Sequence, residues 1–223
     1  MPTKHLFYPQ PRLPIWSQYL LWACLLMVSF AIDSQLNSKV AGLFFLTCLI
    51  IGLAIKHYVY GQKLGFTLTE THFQQHLYKG GWVLRWHNIK RIDTLDYSIQ
   101  GWATSIPWIG IEIKDYQAFI STISPKVITQ ILLHQRSLLF LGLKQHGRQH
   151  ELEDHIINDK PFLYSDGSDV KGLKAMLANR MKIQKQLWGY DLFISESDVI
   201  TSKEEFVGLA RRYLAASHSG ANI

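Results

Sequence analysis

The sequence predicts an α+β protein: an N-terminal two-helix transmembrane hairpin followed by an antiparallel β domain with a helix-rich C-terminal half. Three observations carry this prediction. Residues 13–32 form a run of 20 without a charge, and residues 40–55 form another of 16. From Phe66 to about Lys114, apolar and polar residues alternate with the period of half-buried strands. From Ser124 onward, apolar residues recur at helical spacing behind capping residues.

The hairpin comes first in the chain. A spanning helix needs about 20 mostly apolar residues, which residues 13–32 supply outright. The second run reaches that length if Lys56 snorkels and the span continues to residue 59. Residues 33–39 make a tight link, so residues 1–60 read as a tail and hairpin with spans at about 13–32 and 40–59. Lys4 and Arg12 precede the first span, Lys56 and Lys63 follow the second, and Asp33 and Lys39 cancel in the loop. Basic residues stay on the cytoplasmic side. Both termini are therefore expected in the cytoplasm, with the protein multi-pass in the membrane. Trp16, Tyr19, Tyr58 and Tyr60 would share one interface. Ser29-Phe30-Ala31 has the form of a signal-peptidase site, but the run before it is longer than an h-region of about 7–15 residues, and a second run follows at once.

Residues 61–216 read as a cytoplasmic domain, and the Ser/Gly/Asn-rich residues 217–223 as a flexible tail. After Gly61 there are 19 Lys/Arg against 16 Asp/Glu. So weak a charge excess, tied to a membrane, argues against a nucleic-acid partner. Cys24 and Cys48 both fall in the apolar runs, so the domain has no disulfide framework and no thiolate metal site.

The β half opens with a strand at 66–69, a turn at Glu70-Thr71, and a strand at 72–78 with Phe73, Gln75 and Leu77 on one face. Gly80-Gly81 signals a hairpin turn. Residues 82–86 are the next strand, Ile89, Ile92 and Leu95 suggest another, and 109–114 alternate again. These residues carry a resemblance. Two spans, then Phe66-Thr67-Leu68-Thr69, Phe73, a Gly-Gly turn, and Trp86 followed by Ile89 and Ile92, resemble the membrane-anchored bacterial pleckstrin-homology-like (PH-like) domains over about residues 61–115. The whole chain also resembles an uncharacterised bacterial two-span family described only as a domain of unknown function. The resemblance implies a small β-sandwich or half-barrel beneath the bilayer and supplies no catalytic residues.

The second half, about 124–216, departs from that pattern, which expects more strands and one closing helix. Ser124-Pro125 starts a helix carrying Val127, Ile128, Ile131 and Leu132. Residues 137–143 fit either a helix or a buried strand. A helix is expected over about 168–188, capped by Ser168 or Asp169 and stopped by Gly189. A strand follows at 190–194. The last helix begins at the capping box Ser202-Lys203-Glu204-Glu205.

Four lysines, Lys171, Lys174, Lys182 and Lys185, fall within a sector of about 80° on the 168–188 helix. They suggest a basic ridge for anionic headgroups or a protein partner, where the ordinary alternative is a solvated face. Arg180 falls in the apolar stripe of that helix and needs a partner there. Asp191 and Asp198 are the nearest carboxylates, so a buried Arg180–Asp191 ion pair is expected. His146, His150 and His155 stand among acids, but His150 and His155 are five apart and diverge on a helix. His72 and His76 share a strand face without further ligands. No metal and no cofactor are expected. Walker, nucleophile-elbow and Cys-x-x-Cys motifs are absent from the sequence. The functional expectation is a non-catalytic membrane protein whose domain binds a protein partner or anionic lipid through the ridge and exposed sheet edges, with homo-oligomers compatible. The alternative is a membrane-surface enzyme with a polar site near Arg180 and Asp191.

Overall fold

The computed structural model describes residues 1–9, 16, 22–23, 27–28, 38–60, 64–78, 80–99 and 102–219; side chains at 38, 41, 54–60, 99 and 219 are outside that description. The chain forms two compact units, one of Met1–Tyr8 with Leu64–Ile223 and one of Pro9–Lys63. In the second unit, helix α1 (Ser38–Tyr60) covers the expected second span. Most of the expected first span lies outside the described residues. Among the residues whose side chains are described, no helix is long and apolar enough to cross a membrane.

The main unit is α+β with antiparallel sheets. A four-stranded sheet has the order β1 (Lys4–Phe7), β2 (Gly65–Leu68), β3 (His72–Leu77), β4 (Gly80–Arg85). A three-stranded sheet joins β5 (Ile89–Ile99), β6 (Trp102–Ile113) and β9 (Leu192–Ser195), and β7 (Phe162–Leu163) pairs with β8 (Asp169–Val170). The helices after β6 are α2 (Tyr116–Ile120), α3 (Pro125–His134), α4 (Arg136–Gln145), α5 (Leu152–Ile156) and α6 (Gly172–Trp188); α7 (Lys203–Ser219) closes the chain.

Strand periodicity sets the core. Phe66, Phe73, Leu84, Ile92, Ile109 and Ile111 point inward from both sheets, and Phe206, Val207 and Ala210 of α7 meet them. Phe73 sits 5.7 Å from Trp86 and 6.1 Å from Phe206, ring to ring, within the range where aromatic pairs add to burial. Leu177, Ala178 and Met181 of α6 enter the same core. A smaller cluster joins Leu139 and Leu143 of α4 to Ile183 and Leu187 of α6.

Several expectations change. Residues 1–8, read as part of the tail, build β1 and belong to the main unit. Leu77 stands opposite Gly80, so the two glycines open β4 instead of forming the turn. The 137–143 run is helical, within α4. Helix α6 begins at Gly172 with no side-chain cap, because Asp169 and Val170 pair with β7. Its stop holds: Gly189 is left-handed at φ +77. Ser124 caps α3 by accepting from the Val127 N–H, and Ser202 accepts from the Glu205 N–H at 3.2 Å.

Candidate functional site

The residues singled out in the sequence do not converge. Arg180 is buried at 2% exposure, but no carboxylate among the described residues meets it. Its Nη2 donates to the carbonyls of His155 and Ile156, each at 3.1 Å, and Nη1 lies 3.5 Å from that of Leu132. These carbonyls end α5 and α3, where the last turn leaves acceptors unpaired and partial negative charge gathers. Burial, and secondarily Arg136, brings the guanidinium down to about 10. Asp191, fully buried, accepts instead from the Ile113 N–H at 2.8 Å and from Tyr116 Oη, with Lys185 Nζ at 3.5 Å. Burial raises its carboxyl, and those donors offset only part of the rise. The expected Arg180–Asp191 pair is thus replaced by two separate networks. An enzymatic site built on the two together loses its geometric basis.

The lysine ridge is also divided. Lys185 reaches Glu112 and Asp191, both at 3.5 Å. Lys174 donates to the Ser121 carbonyl at 3.1 Å, and Lys171 pairs with Asp169 at 3.4 Å. Lys182 remains exposed. Two of the four, Lys174 and Lys185, therefore fasten α6 to its neighbours. Among the histidines, His155 contacts Glu151 at 3.2 Å, and Glu151 is held down to about 2, chiefly by Arg148. His76 Nε2 lies 2.9 Å from Thr67 Oγ1. Among the described residues, no three His, Cys, Asp or Glu side chains are grouped to hold a metal ion.

A cleft of about 270 Å³ instead lies between β3, α3 and the turn after β9. Strand alternation turns Gln75 inward beside Phe73, leaving it 4% exposed. Gln130 and His134 are four apart on α3, so they lie together at one flank of the core face of Val127, Ile128 and Ile131. A single helical turn, Glu196–Asp198, follows β9; Ser195 caps it, and it brings Asp198 to the cleft. Gln75 Nε2 donates to Asp198 Oδ2 at 3.2 Å. Tyr8 Oη donates to the carbonyls of Ser197 at 2.5 Å and Val199 at 2.9 Å. Gln130 Oε1 is buried with no hydrogen-bond partner.

The electrostatics follow from this geometry. Burial raises the Asp198 carboxyl, against the opposing pull of His134 and the Gln75 hydrogen bond. Burial also lowers His76, with His5 adding to the effect. Tyr8 is raised by burial and then by Asp198. No lysine or arginine lines the cleft among the described residues. The cleft thus offers acceptors and one carboxylate within partly apolar walls, and suits a hydrogen-bond donor or a cation.

A family model described as Protein of unknown function (DUF2982) matches residues 66–216, well over half of the chain. The chain belongs to this family. The DUF2982 match spans the β3, α3 and Asp198 walls of the cleft and begins after Tyr8, Leu64 and Gly65. No curated protein and no solved structure matches the chain.

Sequence reasoning missed Tyr8, Gln130 and His134, and saw Asp198 only as a partner for Arg180. One signal was available: Gln75 occupies a core-facing position between Phe73 and Leu77, a polar residue where the strand pattern calls for an apolar one.

Proposed function

We propose that this protein is a non-catalytic binding module of the bacterial inner membrane. A PH-like DUF2982 domain holds its ligand in the β3–α3 cleft, and residues 9–63 anchor it as a two-span hairpin with both termini in the cytoplasm. The observation that carries the proposal is the pairing of β1 with β2. Phe7 stands opposite Gly65, and the Tyr8 N–H donates to the Leu64 carbonyl at 3.0 Å. Segment 9–63 therefore leaves and rejoins the main unit at one point on a sheet edge. An insert with both ends on one side of a bilayer must cross it an even number of times, which two apolar runs satisfy.

Two further features support the proposal. Helix α1 has 23 residues, about 34 Å at 1.5 Å per residue, against a hydrocarbon core of about 30 Å. Leu43, Leu46, Ile50, Ile51 and Leu53 are exposed on it. The four-stranded and three-stranded sheets closed by a C-terminal helix are compatible with a PH-like plan, in which α2 to α6 are an insert between β6 and β9. Binding is assigned to the cleft and not to the lysine ridge, because most ridge lysines already have partners.

Photo-crosslinking in native membranes tests the proposal. A photoreactive residue at exposed Tyr78, on the cleft, should give membrane-dependent adducts, and one at exposed Leu163, away from it, should not. The chain should also resist alkaline extraction. Release by alkali, or equal labelling from both positions, would reject the proposal.

A further inference from the structure

We infer that the cleft binds a primary ammonium group. The inference rests on taking the cleft as the binding site, and it is independent of the membrane anchor. Two acceptors in the cleft lack a full set of donors. Asp198 takes one side-chain hydrogen bond, from Gln75 to Oδ2, and Gln130 Oε1 takes none although it is buried. A buried oxygen without a donor is unfavourable, so a ligand that brings N–H groups gains more here than it would on an open surface. The chain as a whole carries a net charge of +6, yet no lysine or arginine lines the cleft among the described residues. Among the described residues an anion entering it would meet the Asp198 carboxylate and the imidazoles of His76 and His134, but no lysine or arginine.

The chemistry of the cation narrows in the same way. A primary ammonium has three N–H donors and can serve Asp198 and, once the Gln130 side chain turns its buried Oε1 toward the cleft, Gln130 as well. A quaternary ammonium has none and would leave both oxygens unpaired. Leu64 and Leu77 supply apolar wall for a short carbon stem, and the Tyr8 and Tyr78 rings favour a cation nearby. The volume of about 270 Å³ is many times the space of one water, about 30 Å³, and suits a headgroup-sized ligand. Two sources offer this chemistry: the ethanolamine headgroup of an aminophospholipid, and a free small amine.

The test uses the full chain in two arms. Calorimetry in detergent with ethanolamine and with choline reads the free amine. Nanodiscs of phosphatidylcholine with and without phosphatidylethanolamine, read by native mass spectrometry for retained lipid, report the headgroup. The expected result is ethanolamine binding without choline binding, retention of phosphatidylethanolamine over phosphatidylcholine, or both; whichever arm responds identifies the source. In that arm Asp198→Asn should weaken binding tenfold or more, equivalent to about 1.4 kcal/mol, and Gln130→Leu severalfold. Both variants remove an unfavourable buried group, so a melting curve at or above wild type verifies folding. Equal binding of choline or phosphatidylcholine, no binding in either arm, or an unchanged Asp198→Asn would each overturn the inference. Those outcomes leave alkaline extraction and the Tyr78 crosslink as separate readouts of the anchored binding module.

Discussion

Arg180 is a buried charge held by main-chain carbonyls and only partly compensated, since its Nε is buried without a hydrogen-bond partner among the described residues. The carbonyls of His155 and Ile156 accept from it where a carboxylate was expected. Arg180→Ala should therefore destabilise the domain by about 3 kcal/mol, through lost charged hydrogen bonds and a cavity. In a double-mutant cycle by denaturant melting, its coupling to Asp191→Asn should fall within about 0.5 kcal/mol, the additivity limit for independent sites. That Arg180 is unusual was legible in the sequence, because it interrupts an apolar stripe. Its partners were not, because main-chain carbonyls carry no residue signature. Asp198 makes the second prediction. Its folded-state pKa is raised above the unfolded value, so its contribution to stability is present at low pH and lost as pH rises through the folded pKa. Asp198→Asn should melt above wild type at neutral pH, and the gap should close below about pH 4, where an unperturbed aspartate is itself protonated. His76 acts in the opposite sense. Its lowered pKa favours the neutral ring, so stability declines as pH falls from about 6.5 through the folded value.

At the scale of elements, close packing explains where glycine is required. A Cβ on Gly110 would lie 2.5 Å from the Tyr190 ring and 2.7 Å from Leu95 Cδ1, inside the β5–β6–β9 sheet. Gly110→Ala should cost about 1–3 kcal/mol from overpacking, read as a lower denaturation midpoint with an unchanged m-value. Gly189→Ala should cost about 1 kcal/mol, because φ +77 is unfavourable for an L side chain. Strands β2 to β4 were legible because their inward residues alternate. Strand β6 was legible only from Ile109. Upstream, its register shifts near Thr94/Leu95, and Pro107 and Trp108 fall between the paired Ile106 and Ile109. Proline is a breaker in a sequence pattern, yet it is tolerated at such a bulge. The start of α6 was misplaced for a related reason. Asp169 has the chemistry of a cap, but the β7–β8 pairing uses its backbone instead.

At the scale of the molecule, the four residues of β1 join the start of the chain to a domain that otherwise begins at Leu64. Tyr213 of α7 reinforces the join by donating to the Pro2 carbonyl at 2.5 Å. Lys4-His5-Leu6-Phe7 is too short to stand out as a strand, and it seals the sheet edge only through partners more than 55 residues away. Long-range pairing of this kind was therefore invisible in the sequence, although the apolar runs it brackets were plain. The cleft shares the difficulty, since Tyr8, Gln75, Gln130 and Asp198 come from four separate segments. The proposed membrane topology, which the β1–β2 join supports, is directly measurable. With Cys24 and Cys48 replaced by serine, single cysteines at Thr3, Asn37 and Ser168 would be probed with an impermeant thiol reagent in cells whose outer membrane has been opened. The expected result is labelling at Asn37 alone, with Thr3 and Ser168 reactive only after lysis. Labelling of Thr3 or Ser168 in unlysed cells, or protection of Asn37, would contradict a hairpin whose two ends meet on the cytoplasmic side.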